Sequence, residues 1–108
     1  MNISDFSGVR CENATFEIHN SFLTKNELHG IYLYNPESIT ISENTINGNI
    51  LCGISISNET SEFERFEVSN NLIEDNNEFG IHFFSEIPNS DSSPISISDN
   101  KIRNNRRG

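Results

Sequence analysis

With 108 residues the chain has room for a single domain, and only 33% of those residues are hydrophobic, with no tryptophan among them. Sixteen acidic against seven basic side chains give a net charge of −9, a surface that phosphate backbones repel, so nucleic acid is excluded as a partner class. No apolar run approaches the roughly 20 residues of a membrane span, and Met1 to Gly8 has neither the basic region nor the apolar stretch of a signal peptide.

So small an apolar fraction would leave many chains disordered. Here the apolar residues recur in register. From the N-terminus, Gly8-Val9 opens a first repeat: Val9 and Cys11 flank Arg10, Phe16 and Ile18 flank Glu17, and Asn20-Ser21-Phe22 follows. Gly30-Ile31 opens a second, with Ile31 and Leu33 about Tyr32, Ile39 and Ile41 about Thr40, then Asn44-Thr45-Ile46. The third begins at Gly53-Ile54, with Ile54 and Ile56 about Ser55, Phe66 and Val68 about Glu67, then Asn71-Leu72-Ile73. Gly80-Ile81 opens the fourth: Ile81 and Phe83 about His82, Ile95 and Ile97 about Ser96, then Asn100-Lys101-Ile102. Lys101, Arg103, Arg106 and Arg107 concentrate basic charge at the C-terminus, read as a solvated turn.

Alternation with period two sends successive side chains to opposite faces of a strand. Each repeat therefore contributes three short strands, and the expected inward residue of the third is Phe22, Ile46, Ile73 or Ile102. Strands this short cannot bury their own apolar face. Stacking buries it, each strand pairing in parallel with its counterpart about 4.8 Å away along the axis. Asn44, Asn71 and Asn100 each lie three residues after the last apolar residue of the second strand, and Asn20 only two after, so the first repeat is expected to be one residue shorter there. Asparagine tolerates the left-handed backbone of a sharp corner, and stacked amides can bond from coil to coil. A ladder of asparagines is expected at these positions.

The run apolar-x-apolar, Asn-x-Ile-x-x-Asn, Gly-Ile, matched closely by Asn44 to Ile54 and by Asn71 to Ile81, resembles the right-handed parallel β-helix repeat of the pectate-lyase-like superfamily. The resemblance covers residues 8–108. It implies an all-β chain: one domain over 1–108, folded as a right-handed single-stranded parallel β-helix of about four coils starting near 8, 30, 53 and 80, with three short strands per coil. It also implies an extracellular or cell-surface setting and a polysaccharide as possible partner. The superfamily spans lyases, hydrolases, epimerases, tailspikes and adhesins, so the fold alone does not choose an activity. Its members usually have more coils and capped ends, and no amphipathic cap is recognisable here. Further coils of a longer chain, or end-to-end self-association, are therefore expected at the open ends.

Cys11 takes an inward position and Cys52 precedes the glycine of the third repeat, nearly two coil rises away, on the order of 9 Å. A disulfide needs Cα atoms closer than about 7 Å, so two free thiols are expected. Outward residues form two columns: Arg10, Tyr32, Ser55 and His82 on the first strand, and Glu17, Thr40, Glu67 and Ser96 on the second. Glu17 and Glu67, two coils and thus roughly 9.6 Å apart, stand at the upper edge of the separation for an inverting pair of glycosidase carboxylates. They are the candidate catalytic pair, although Thr40 sits where the resemblance implies further acidic residues. Tyr32, His82 and Phe84 are the candidate substrate-binding residues, able to stack on or bond to a sugar ring.

Insertions at Ser57 to Arg65 and Phe84 to Pro94 form a rim bearing Glu59, Glu62, Glu64, Glu86 and Asp91 beside Phe63 and Phe84, where Ca2+ or a carbohydrate could sit. The run Glu74-Asp75-Asn76-Asn77-Glu78 lacks the ordered ligand spacing of a calcium loop, and no resident cofactor or metal is expected. The function expected is a non-catalytic scaffold or carbohydrate-contacting module of a larger surface or secreted protein. The alternative is a polysaccharide-active enzyme (lyase, glycoside hydrolase or epimerase) or a fragment of one.

Overall fold

Thirteen strands and no helix make up the described part of the computed structural model, which covers residues 2–4, 7–59, 65–85 and 95–107. They are β1 (Asn2–Ser4), β2 (Val9–Glu12), β3 (Thr15–His19), β4 (Phe22–Asn26), β5 (Ile31–Tyr34), β6 (Ser38–Ser42) and β7 (Thr45–Asn47). There follow β8 (Ile54–Asn58), β9 (Arg65–Ser69), β10 (Leu72–Glu74), β11 (Ile81–Ser85), β12 (Ile95–Ser98) and β13 (Lys101–Arg103). Every third strand is a neighbour: the sheets run β2-β5-β8-β11, β3-β6-β9-β12 and β1-β4-β7-β10-β13, and every pairing is parallel. This is a parallel β-helix of four coils, with β1 preceding the first.

The register places like on like. Val9, Ile31, Ile54 and Ile81 form one column, and Cys11, Leu33, Ile56 and Phe83 the next. Phe16, Ile39 and Phe66 stack in the second sheet, beside Ile18, Ile41, Val68 and Ile97. In the middle coils these side chains are wholly buried, and β-branched residues dominate because they fit the pleated inner face of a parallel sheet. Both cysteines are free, Cys11 partly buried in its inward column and Cys52 buried.

The third strand corrects two expectations. Phe22 pairs with Thr45 and Leu23 with Ile46, so Leu23, fully buried, is the inward residue and Phe22 is 66% exposed. The first coil is also not shorter here. Ser21, not Asn20, stands opposite Asn44: its N–H donates to Asn44 Oδ1 at 2.9 Å, and its carbonyl accepts from the Thr45 N–H.

The ladder of Asn44, Asn71 and Asn100 is present, each Nδ2 donating to the next Oδ1 at 2.9–3.0 Å. A second ladder, Asn26, Asn49, Asn76 and Asn105, runs beside it. None of these rungs is itself left-handed. That conformation falls one residue earlier, at Asn20, Glu43, Asn70 and Asp99 before the first ladder and at Lys25, Gly48, Asp75 and Asn104 before the second, with φ between 50° and 67°. The strained residue turns the corner and points outward, which lets the following amide point in. Of the acidic rim, Glu62, Phe63, Glu64, Glu86 and Asp91 lie outside the described residues. Glu59 is described, and its carboxylate accepts the Tyr34 hydroxyl at 2.6 Å.

Candidate functional site

After each rung of the second ladder the chain crosses two residues to reach the one before the coil's glycine. Gly8, Gly30 and Gly53 each donate to the carbonyl of that residue in the coil below, which stacks Ser7, His29, Cys52 and Phe79 in one column. Three residues further on lie the outward residues Arg10, Tyr32, Ser55 and His82, held in register by β2, β5, β8 and β11. With only a glycine and one inward residue between them, the two columns face each other along the corner.

Two of the four cross-pairs are rings in contact. His29 stacks on Tyr32 with centroids 5.6 Å apart and planes 16° from parallel, and Phe79 stacks on His82 at 5.3 Å and 24°. The Arg10 guanidinium lies 5.4 Å from the Tyr32 ring centre, within cation–π reach. Coil three interrupts the series with two small residues, Cys52 and Ser55. Two clefts result. One of about 230 Å³ lies between Arg10, Leu28, His29 and Tyr32. The other, about 320 Å³, has Cys52 and Ser55 as its floor and His29, Glu78, Phe79 and His82 as its walls. His29 borders both.

His29 is also the best-anchored polar ring here. The Cys52 N–H donates to its Nδ1 at 3.1 Å, which requires Nδ1 to be bare and leaves the ring hydrogen on Nε2. Burial holds its pKa below the ordinary 6.5; Glu78 opposes that shift and His82 adds to it. Because the folded state disfavours the imidazolium, the unfolded chain binds more protons as the pH falls from about 6.5, and stability declines over that window. Thermal midpoints measured from pH 7 to pH 5 should therefore fall. His29→Gln, which keeps an acceptor and cannot titrate, should flatten that slope.

Of the residues singled out from the sequence, Tyr32, His82 and Phe84 share one face: Tyr32 and His82 lie in one outward column, and Phe84, 47% exposed, in the next. Glu17 and Glu67 lie on a different sheet, on β3 and β9, with Thr40 between them in the register. Each carboxylate is engaged by a base two residues along its own strand: Glu17 by His19 Nε2 at 2.9 Å, Glu67 by Arg65 Nη2 at 2.6 Å. The Arg65 guanidinium holds the Glu67 carboxyl below the usual carboxylate range, with a lesser contribution from the Ser69 hydroxyl. A glycosidase general acid is tuned in the opposite direction. Sequence reasoning did not join His29 and Phe79 to the site, although the spacing His29-x-x-Tyr32 repeats as Phe79-x-x-His82.

Among the described residues no three His, Cys, Asp or Glu side chains come together in a way that could hold a metal ion, and no helix is long and apolar enough to cross a membrane. A family model described as a right handed beta helix region matches residues 7–108. No curated protein and no solved structure matches the chain.

Proposed function

The chain belongs to the right-handed β-helix family, and on that footing we propose that it is a non-catalytic scaffold, part of a larger surface or secreted protein, whose first-strand face contacts carbohydrate. The observation that carries the reading is the interrupted series of ring pairs. His29–Tyr32 and Phe79–His82 stand on either side of a floor made of Cys52 and Ser55. A sugar ring has an apolar face and a polar edge, and this corner offers both kinds of partner. Ring surface and Leu51 supply the first, and Glu78 and the imidazoles of His29 and His82 supply the second. The clefts follow one another along the axis, so a linear chain would span them.

The scaffold reading also rests on where the acids are. Glu17 and Glu67 already have basic partners on their own strands and sit on another sheet from the clefts, so this carboxylate pair does not converge with the binding groups.

The test is a panel of neutral glycans and polyuronates assayed for binding and for cleavage with the same protein. Tyr32→Ala and His82→Ala, both on outward faces, should each weaken binding about tenfold, the loss of roughly 1.4 kcal/mol of stacking and contact. Failure of every glycan to bind would end the proposal. New reducing ends or unsaturated uronates that disappear in Glu67→Gln would replace it with the enzyme reading.

A further inference from the structure

One more column runs along the corner, a residue before His29, Cys52 and Phe79. The Leu51 N–H donates to the Leu28 carbonyl, that of Glu78 to the Leu51 carbonyl, and that of Arg107 to the Glu78 carbonyl. Two coils fill this position with leucine. The next puts Glu78 there, on the wall of the larger cleft. Its carboxylate is half-buried and has no hydrogen bond or ion pair with another described side chain. Arg107, its neighbour in the column, is exposed and meets it through the backbone alone.

The other walls of that cleft carry no fixed charge. His29 accepts the Cys52 N–H at Nδ1, which is the neutral form of the ring. Burial pushes the Cys52 thiol up, so it stays protonated. Ser55, Leu51 and Phe79 are uncharged, and His82 lies stacked on Phe79. A half-screened carboxylate beside ring faces complements a cation that has an apolar body. A bare metal ion does not fit that description, since no three ligating side chains meet among the described residues. A uronate does not fit either, because its carboxylate would face Glu78. The smaller cleft has Arg10 on its wall, but that guanidinium lies over the Tyr32 ring and 3.7 Å from the Glu12 carboxylate.

We infer that the larger cleft takes an amino sugar, with the ammonium group against Glu78 and the sugar ring among His29, Phe79 and His82. This rests on the carbohydrate reading and narrows it to glycans that carry a positive charge.

Calorimetric titration at about pH 6, where the amine is protonated, compares a glucosamine oligosaccharide, its N-acetylated form of equal length, and an oligouronate. The amine form should bind about tenfold more tightly than the acetylated form, and the uronate more weakly than either. Glu78→Gln should erase that preference while leaving the acetylated sugar bound as before. Glu78→Leu, which supplies the residue of the two preceding coils, should do the same. Glu37→Gln, in the exposed turn between β5 and β6, should keep the preference and so separate Glu78 from the net charge of −9. The chain has three histidines, and NMR should show the imidazole signals of His29 and His82 moving on addition of the amine sugar while that of His19, on β3, stays in place. Equal binding of the amine and acetylated forms, preference for the uronate, or a preference that survives both Glu78 variants would overturn the inference and leave the carbohydrate reading standing. Failure of all three sugars and of every other glycan to bind would end both.

Discussion

Replacing Asn49 with alanine is expected to lower the unfolding free energy by about 4 kcal/mol, because several buried polar groups would lose partners at 1–3 kcal/mol each. Asn49 is 1% exposed. Its Oδ1 accepts from the Asn26 N–H at 3.0 Å and Nδ2 at 2.9 Å, and its own Nδ2 donates to Asn76 Oδ1 and to the Leu23 carbonyl at 2.9 and 3.0 Å. Alanine fills neither role. The Asn26 N–H, on a fully buried residue, loses its acceptor, and the Leu23 carbonyl loses the donor that ties one coil to the next. Nearby Asn77 makes a good control: it is exposed, and its side chain has only a 3.5 Å contact from Arg106. Asn77→Ala should change stability by no more than about 0.5 kcal/mol, as for most surface substitutions. Urea titration of both variants measures the difference as a shift in midpoint. A cost below about 1 kcal/mol for Asn49→Ala would mean that the ladder bonds add little beyond what water supplies.

What the sequence makes legible follows from which contacts are local. The first and second strands announce themselves because two apolar residues flank a polar one, as in Ile39-Thr40-Ile41, and alternation alone fixes which face is inward. The third strand offers one inward position per coil. At Phe22-Leu23 two apolar neighbours leave alternation with nothing to decide. The deciding contact there is 23 residues away, between the Ser21 N–H and Asn44 Oδ1. The corners were misplaced for a related reason. The left-handed position holds Lys25, Glu43, Asp75 and Asp99 as well as asparagines, so residue type points to it only weakly, while the inward amide after it must be asparagine to bond in both directions. The ring pairs were hidden by the turn between them. His29 and Tyr32 lie either side of Gly30 and Ile31, three residues apart, a spacing that the strand period of two does not bring together, and the pairing becomes visible only once the stacked glycines bring the corner close.

That close approach predicts the other large effect: Gly53→Ala should unfold the protein or cost well over the ~1–3 kcal/mol usual for overpacking, whereas Gly48→Asn should be almost neutral. A Cβ built on Gly53 would stand 2.7 Å from Ile73 Cγ2, 2.8 Å from the Gly80 carbonyl oxygen and 2.9 Å from Asn76 Nδ2. The oxygen is backbone fixed by the Ile54 N–H bond it accepts, the methyl belongs to the core, and the amide is a ladder rung. None can retreat without breaking the stack of coils three and four. Gly48 is the opposite case. It has φ 67°, the conformation for which glycine is usually kept, yet a Cβ there would find Lys25 Cγ at 3.7 Å and nothing tighter. Lys25, Asp75 and Asn104 occupy the same column at φ of 55–57°, so the fold already accepts side chains at that corner, and asparagine is the residue that bears it best. Thermal unfolding of the two variants separates space from backbone conformation as the reason for each glycine. Equal destabilisation of both would mean that conformational freedom governs the pair. A folded, stable Gly53→Ala would mean that the coils can slide apart enough to admit a methyl, and that the column is looser than its register implies.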